Sequence, residues 1–207
     1  ASESSPKQAG LDFYRDVFEE LKKYDIEPLV TISHYEPPSH LDEKLGGWGN
    51  RSAIDQFVKY SKTIMYEYKD LVKYWLTFNE INVEMMMFMF LPESVLTPEY
   101  CTDALLKLHN QFVASAKVVK MAHEIDPNYQ VGCMVAGACS YPLTPDPKDI
   151  LFNQQFMQQY VHYSGDVMVR GYYPSFAKRI WEKYTVSLEI SEEDLEILKE
   201  GTVDFYS

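Results

Sequence analysis

Residues 72–82, VKYWLTFNEIN, are an apolar run that ends by delivering an amide and a carboxyl side by side, Asn79 and Glu80. Residues 26–34, IEPLVTISH, end in the same way on a histidine, His34. A carboxyl set among aromatic neighbours such as Trp75 and Phe78, and partly withdrawn from water, favours its neutral form and can donate a proton near neutral pH. An amide both donates and accepts hydrogen bonds, which suits a hydroxyl-rich ligand such as a sugar. The residues alone leave a second reading open. Asn79-Glu80 would then be a solvated loop pair, and His34 a structural histidine. Two polar residues at the ends of successive apolar runs weigh against treating both as incidental.

Other candidates divide between chemistry and packing. Glu36 follows His34 in a proline-rich stretch and is a weaker second acid. Trp48, in GGWGN, reads as a loop anchor or as a wall against which a sugar could stack. The Met-rich run EMMMFMF at 84–90 reads as adaptable packing. The acidic run EISEEDLEILKE at 189–200 reads as a solvated helix face with favourable charges at its N-terminal end. The histidines at 34, 40, 109, 123 and 162 form neither an HxH nor an HExxH pattern, so no metal site is expected.

Charge and cysteine usage exclude several classes. The 207 residues carry a net charge of -12, with no basic stripe to neutralise phosphates, so no nucleic-acid partner is expected. The same charge is a poor match to an anionic membrane surface. The longest apolar stretch, residues 85–91, is far below the length of a membrane span. The first ten residues, ASESSPKQAG, are polar and unlike a secretion signal. Three cysteines at no metal-like spacing imply no disulfide framework and suit a reducing compartment.

The elements that must position these residues alternate in type. Residues 11–24 are predicted as a helix with Phe13, Val17 and Leu21 at steps of four and Tyr14 and Phe18 beside them. Residues 26–34 follow as a strand, and 35–51 as a long loop rich in turn formers. Ser52 is placed to cap a helix whose buried stripe is Ile54, Phe57, Val58, Ile64, Met65 and Tyr68. A second strand covers 72–78. Thr97-Pro98 opens a long helix that Asp126-Pro127 closes. The third strand is 130–136, a helix covers 146–163, and 171–174 is a loop. A short helix starts at Ser191, and a fourth strand starts at 203. Strand–helix alternation of this kind demands parallel strands. No glycine fingerprint of a dinucleotide fold follows any strand. Long loops after the strands fit a (β/α)8 barrel, which keeps its chemistry at that end. The expected fold is therefore α/β, a partial (β/α)8 barrel with about four strands. Residues 1–207 would form one incomplete domain whose open sheet edges favour self-association.

The runs TISHYEPPSHL, GGWGNR, WLTFNEIN and VRGYYP resemble, in this order, the segments around the third to sixth barrel strands of glycoside hydrolase family 1. TFNE is the most specific of them. The resemblance implies a retaining β-glycosidase that needs no metal or organic cofactor. Glu80 would be its general acid/base, Asn79 would hold the sugar 2-hydroxyl, and His34 would contact another hydroxyl. The HY form of the strand-three motif, FNEIN and RGYYP look most like the bacterial 6-phospho-β-glucosidase branch. That branch implies a phosphorylated β-glucoside as substrate and a cytoplasmic enzyme. A β-glucosidase, a 6-phospho-β-galactosidase and a non-catalytic half-barrel or carbohydrate-binding module are the alternatives. The family nucleophile is the Glu of a Glu-Asn-Gly motif, and no such run occurs in this sequence. Retaining hydrolysis needs two carboxyls roughly 5–5.5 Å apart, so the 207 residues alone are expected to be inactive.

Overall fold

Four short parallel strands pair in the order of their sequence, each beside the next, with helices on the connections between them. The structure is a computed structural model that describes residues 5–137 and 139–207, with the backbone alone at 44 and 45. The first four residues of the polar N-terminus lie outside it. In chain order the elements begin with α1 (Gln8–Lys23), β1 (Leu29–Ser33), α2 (Ser39–Leu45), α3 (Ser52–Glu67), β2 (Tyr74–Phe78) and α4 (Val83–Met87). They continue with α5 (Pro98–Ile125), β3 (Gln130–Cys133), α6 (Pro147–Met157), α7 (Tyr163–Arg170), α8 (Ala177–Lys183), α9 (Glu192–Glu200) and β4 (Phe205–Tyr206). Leu29 pairs with Tyr74 and Ser33 with Phe78, Tyr74 pairs with Gln130, and Gly132 pairs with Phe205. Sequential parallel pairing with helical crossovers is the repeat of a (β/α)8 barrel, of which these strands make up half.

The two inner strands, β2 and β3, form because their side chains are buried on both faces, whereas on β1 only Ile32 is buried. Trp75, Leu76, Thr77 and Phe78 of β2 are all buried. Thr77 is the polar member, and its hydroxyl pairs with that of Ser115 on α5 at 2.8 Å. Gly132 is required where it stands: a Cβ there would lie 2.4 Å from the Phe205 ring. The long helix α5 starts where expected, with the Thr97 hydroxyl accepting from Tyr100 N at 3.3 Å and Pro98 in the first turn. It is the central helix of the outer layer, buried along most of its length.

Several local expectations need correction. The 35–51 segment is not all loop, because Pro37-Pro38 precedes and Gly46 follows a short helix, α2. Gly46 ends it with the left-handed backbone (φ +77°) that glycine adopts without strain. Ser52 does not cap α3. The Asn50 side chain accepts from Ser52 N at 3.0 Å, while the Ser52 hydroxyl is buried without a partner. The helix expected to end at 163 passes through one wide π turn, Gln158–His162, and runs on to Arg170. α8 lies in a stretch for which no element was expected. On α1 only Phe18 is buried, and Phe13, Tyr14 and Val17 face solvent. The strands are shorter than expected, since only residues paired on a neighbour count as strand.

Candidate active site

Because β1 and β2 run parallel in register, the residues that follow Ser33 and Phe78 emerge side by side at one rim of the sheet. Asn79 N donates to Ser33 O at 2.9 Å, carrying the ladder one residue beyond β2. Ile81 N donates the other way, to Met134 O at 3.1 Å, just past β3. Glu80 sits between these two ties with a left-handed backbone, φ +43°. That conformation costs a non-glycine residue about 1–2 kcal/mol and persists only where neighbours enforce it.

The Glu80 side chain is placed against the loop that follows β1. Its Oε2 accepts a hydrogen bond from the Tyr35 hydroxyl. Tyr35 is itself left-handed (φ +62°), and its ring meets the His34 ring edge-on at 5.0 Å. Asn79 and Glu80 are half-buried and His34 is exposed. The three residues singled out in the sequence therefore come together at one rim, with Tyr35 joining them. A carboxyl held by a hydroxyl, with an amide and an imidazole nearby, can exchange a proton with a bound hydroxylic group. Glu36 is exposed.

Behind the rim is a packed layer. Trp48 lies 5.3 Å from the Phe78 ring and 5.6 Å from Phe57, and those two rings stack at 4.6 Å. Its carbonyl accepts from Asn110 Nδ2 at 2.7 Å. Trp48 thus anchors its loop to the strand that carries Glu80. Met85 and Phe88 of the Met-rich run are buried and act as packing.

Two buried polar features, one beside the rim and one remote from it in its contacts, were not read from the sequence. The first is Asn82, fully buried, whose amide bonds to Ala136 and Tyr160. It stands inside the FNEIN run, two residues past Glu80, and that proximity was the available signal. The second is Asp194, which is not part of a solvated face. Arg51 clasps both its carboxylate oxygens at 2.8 and 2.7 Å, and His109 Nε2 lies 3.2 Å from one of them. A carboxylate only accepts, so His109 carries its proton on Nε2, and its Nδ1 accepts from the Tyr173 hydroxyl at 2.8 Å. Burial opposes the Asp194 charge, but the bonds from Arg51, His109 and Ser191 outweigh it and hold the carboxyl down to about 2. Burial also lowers His109, more than the carboxylate raises it. This node ties the GGWGNR and RGYYP loops to α5 and α9. Among the described residues no group of three or more His, Cys, Asp or Glu side chains is placed to hold a metal ion. Nor is any helix among them long and apolar enough to cross a membrane.

Comparison with known proteins places this geometry in context. The chain is 42% identical over 207 residues to a 6-phospho-beta-glucosidase of Clostridium longisporum, covering 98% of this chain and 43% of that protein. It is 44% identical over 206 residues to a 6-phospho-beta-glucosidase of Dickeya chrysanthemi, covering 99% and 43%. The chain therefore spans less than half the length of these curated relatives. Among solved structures, the family 1 β-glucosidase of Thermotoga maritima superposes with a TM-score of 0.80 at 27% identity, over 99% of this chain and 46% of that one. The family model described as glycosyl hydrolase family 1 matches residues 1–207. With the match unbroken from one end to the other, on sequentially paired strands whose rim gathers His34, Asn79 and Glu80, the chain belongs to glycosyl hydrolase family 1.

Proposed function

We propose that these residues are the central part of a larger catalytic domain, a retaining β-glycosidase that hydrolyses 6-phospho-β-glucosides, with Glu80 as general acid/base. The observation that carries the reading is the placement of Glu80. A half-buried carboxyl projects from the end of β2 at the rim shared with His34 and Asn79. In the first step Glu80 gives its proton to the glycosidic oxygen as the bond to the anomeric carbon breaks. A carboxylate from outside these residues forms the glycosyl ester on the opposite face. In the second step the Glu80 carboxylate takes a proton from water as that water attacks the anomeric carbon and frees the nucleophile. Asn79 hydrogen-bonds the sugar 2-hydroxyl, and His34 a further hydroxyl. The Tyr35 hydroxyl keeps the carboxyl at the rim between turnovers.

The phosphorylated substrate is favoured by the relatives at 42 and 44% identity, both 6-phospho-β-glucosidases. A plain β-glucoside is the second reading, supported by the solved β-glucosidase at 27% identity. A phosphorylated disaccharide, made during uptake, supports a cytoplasmic enzyme. The test is a complete barrel containing this segment, assayed on aryl β-glucosides with and without the 6-phosphate. Glu80→Gln is expected to lower turnover of poorly activated substrates by about 10²–10⁴-fold. Azide, which needs no general base, is expected to restore turnover of an activated substrate and to yield the glycosyl azide. Undiminished turnover in Glu80→Gln would overturn the role given to this residue. Preference for the unphosphorylated glucoside would overturn the substrate.

A further inference from the structure

We infer that Asn82 is a positioning residue for the acid/base carboxyl, an inference that rests on the role proposed above for Glu80. Asn82 is fully buried, and its side chain is nearly saturated with hydrogen bonds. Its Nδ2 donates to Ala136 O at 3.1 Å and to Tyr160 O at 2.7 Å, while its Oδ1 accepts from Ala136 N at 2.7 Å. The amide thus meets both the carbonyl and the N–H of one residue, as a strand backbone would. It prolongs the contact between the ends of β2 and β3 beyond the last paired residues, Leu76 and Gly132.

The third bond lands on the wide turn at Gln158–His162. A π turn breaks the regular i to i-4 bonding and leaves carbonyls available to other donors. Asn82 uses one of them, at Tyr160. The segment that carries Glu80 is thereby fixed to two other parts of the molecule, the loop after β3 and the junction of α6 with α7.

Glu80 needs such a fixture. Its left-handed backbone is unfavourable in isolation, and three main-chain bonds hold it, Asn79 N to Ser33 O, Ile81 N to Met134 O and Val83 N to Glu80 O. The Ile81 tie is a single bond at the end of the sheet. Asn82, the next residue, reinforces it with three bonds in a dry environment, where hydrogen bonds are stronger. Losing them releases the downstream half of the turn and lets the carboxyl wander from the glycosidic oxygen. Displacement of about 1 Å is enough to cost a proton transfer much of its rate.

A residue that only supports the fold and one that aims an acid differ in a measurable way. Departure of a poor leaving group needs the proton, and departure of a dinitrophenolate does not. In a complete barrel containing this segment, Asn82→Leu removes all three bonds at similar volume. Asn82→Asp keeps an acceptor for Ala136 N and loses both donors. For Asn82→Leu the expected result is a fall in kcat/KM on an alkyl or phenyl glycoside at least about tenfold greater than on the dinitrophenyl glycoside. KM is expected to change little, and the Asp variant to fall between Leu and the parent. Titration of active sites with a slow dinitrophenyl substrate corrects both variants for inactive protein. Equal losses on both substrates, or no loss, overturn the inference. If Asn82→Leu is insoluble, the Asp variant decides by the same ratio. Glu80→Gln runs alongside. If it too lacks leaving-group dependence, the acid/base reading fails. If it shows the dependence and the Asn82 variants do not, only the role of Asn82 fails.

Discussion

At the scale of single residues, the node of Asp194, His109, Arg51 and Tyr173 makes the fold sensitive to acid. His109 is lowered by burial, so the folded chain resists a proton that the unfolded chain accepts below about pH 6.5. Stability therefore falls as pH drops through that value. Asp194 adds a second loss. Its folded carboxyl titrates at about 2 against 3.8 for an unperturbed aspartate. Its contribution is complete above pH ~4 and disappears as pH falls towards 2. Urea midpoints measured from pH 7 to pH 5 are expected to fall in the parent chain and to fall less in His109→Gln. An unchanged slope in that variant would place the acid sensitivity elsewhere. None of this was legible in the sequence, since Arg51 and Asp194 lie 143 positions apart. The rim placement of Asn79, Glu80 and His34 was legible because they follow apolar runs, and a buried strand gives way to polar residues where it leaves the sheet.

At the scale of elements, the start of α3 separates two explanations of a capped helix. Ser52 has the residue type of a cap, but its hydroxyl is buried and unpaired, while Asn50 supplies the accepting oxygen. Asn50→Ala is expected to lower stability by about 1 kcal/mol. Ser52→Ala is expected to be neutral or mildly stabilising, because it removes a buried polar group with no partner. Equal losses from both substitutions, measured by urea unfolding, would return the cap to Ser52. The existence and order of α1, α3, α5 and the strands followed from periodicity and punctuation. α2 hid inside a turn-rich stretch because its seven residues are too few for a helical period to repeat.

At the scale of the whole molecule, the sheet is open. Among the described residues β1 and β4 each have one unpaired edge, and Leu29 on β1 is 51% exposed. Phe13 and Tyr14 on α1 are 60% and 53% exposed, and Tyr206 on β4 is 52% exposed. Unpaired parallel edges beside apolar surface drive association. The isolated 207 residues are expected to self-associate in sedimentation velocity, and Phe13→Lys with Val17→Lys to reduce it. They are also expected not to hydrolyse an aryl 6-phospho-β-glucoside, since the proposed mechanism needs a second carboxyl. A monodisperse monomer would argue against the open edges as adhesive surfaces. Turnover that vanishes with Glu80→Gln would show that a second carboxyl is present after all.

The α1 stripe illustrates where sequence reasoning stops. The spacing of Phe13, Val17 and Leu21 established a helix, but not what covers it. Periodicity reports the local backbone, whereas burial depends on which other elements are present. In the same way, the amino-acid order by itself determined the alternation of strand and helix, the parallel sheet and the polar residues at its rim. The alternation and the rim residues depend on neighbours a few positions away, and the parallel pairing follows from the alternation through its helical crossovers. Only the folded chain decided that Tyr35 meets Glu80, that Asn82 bridges to Ala136 and Tyr160, and that Asp194 is clasped rather than solvated. Those contacts join segments from 45 to 143 residues apart. Hydrogen bonds across such distances leave no periodic trace, because they are selected by proximity in three dimensions and not by spacing along the chain.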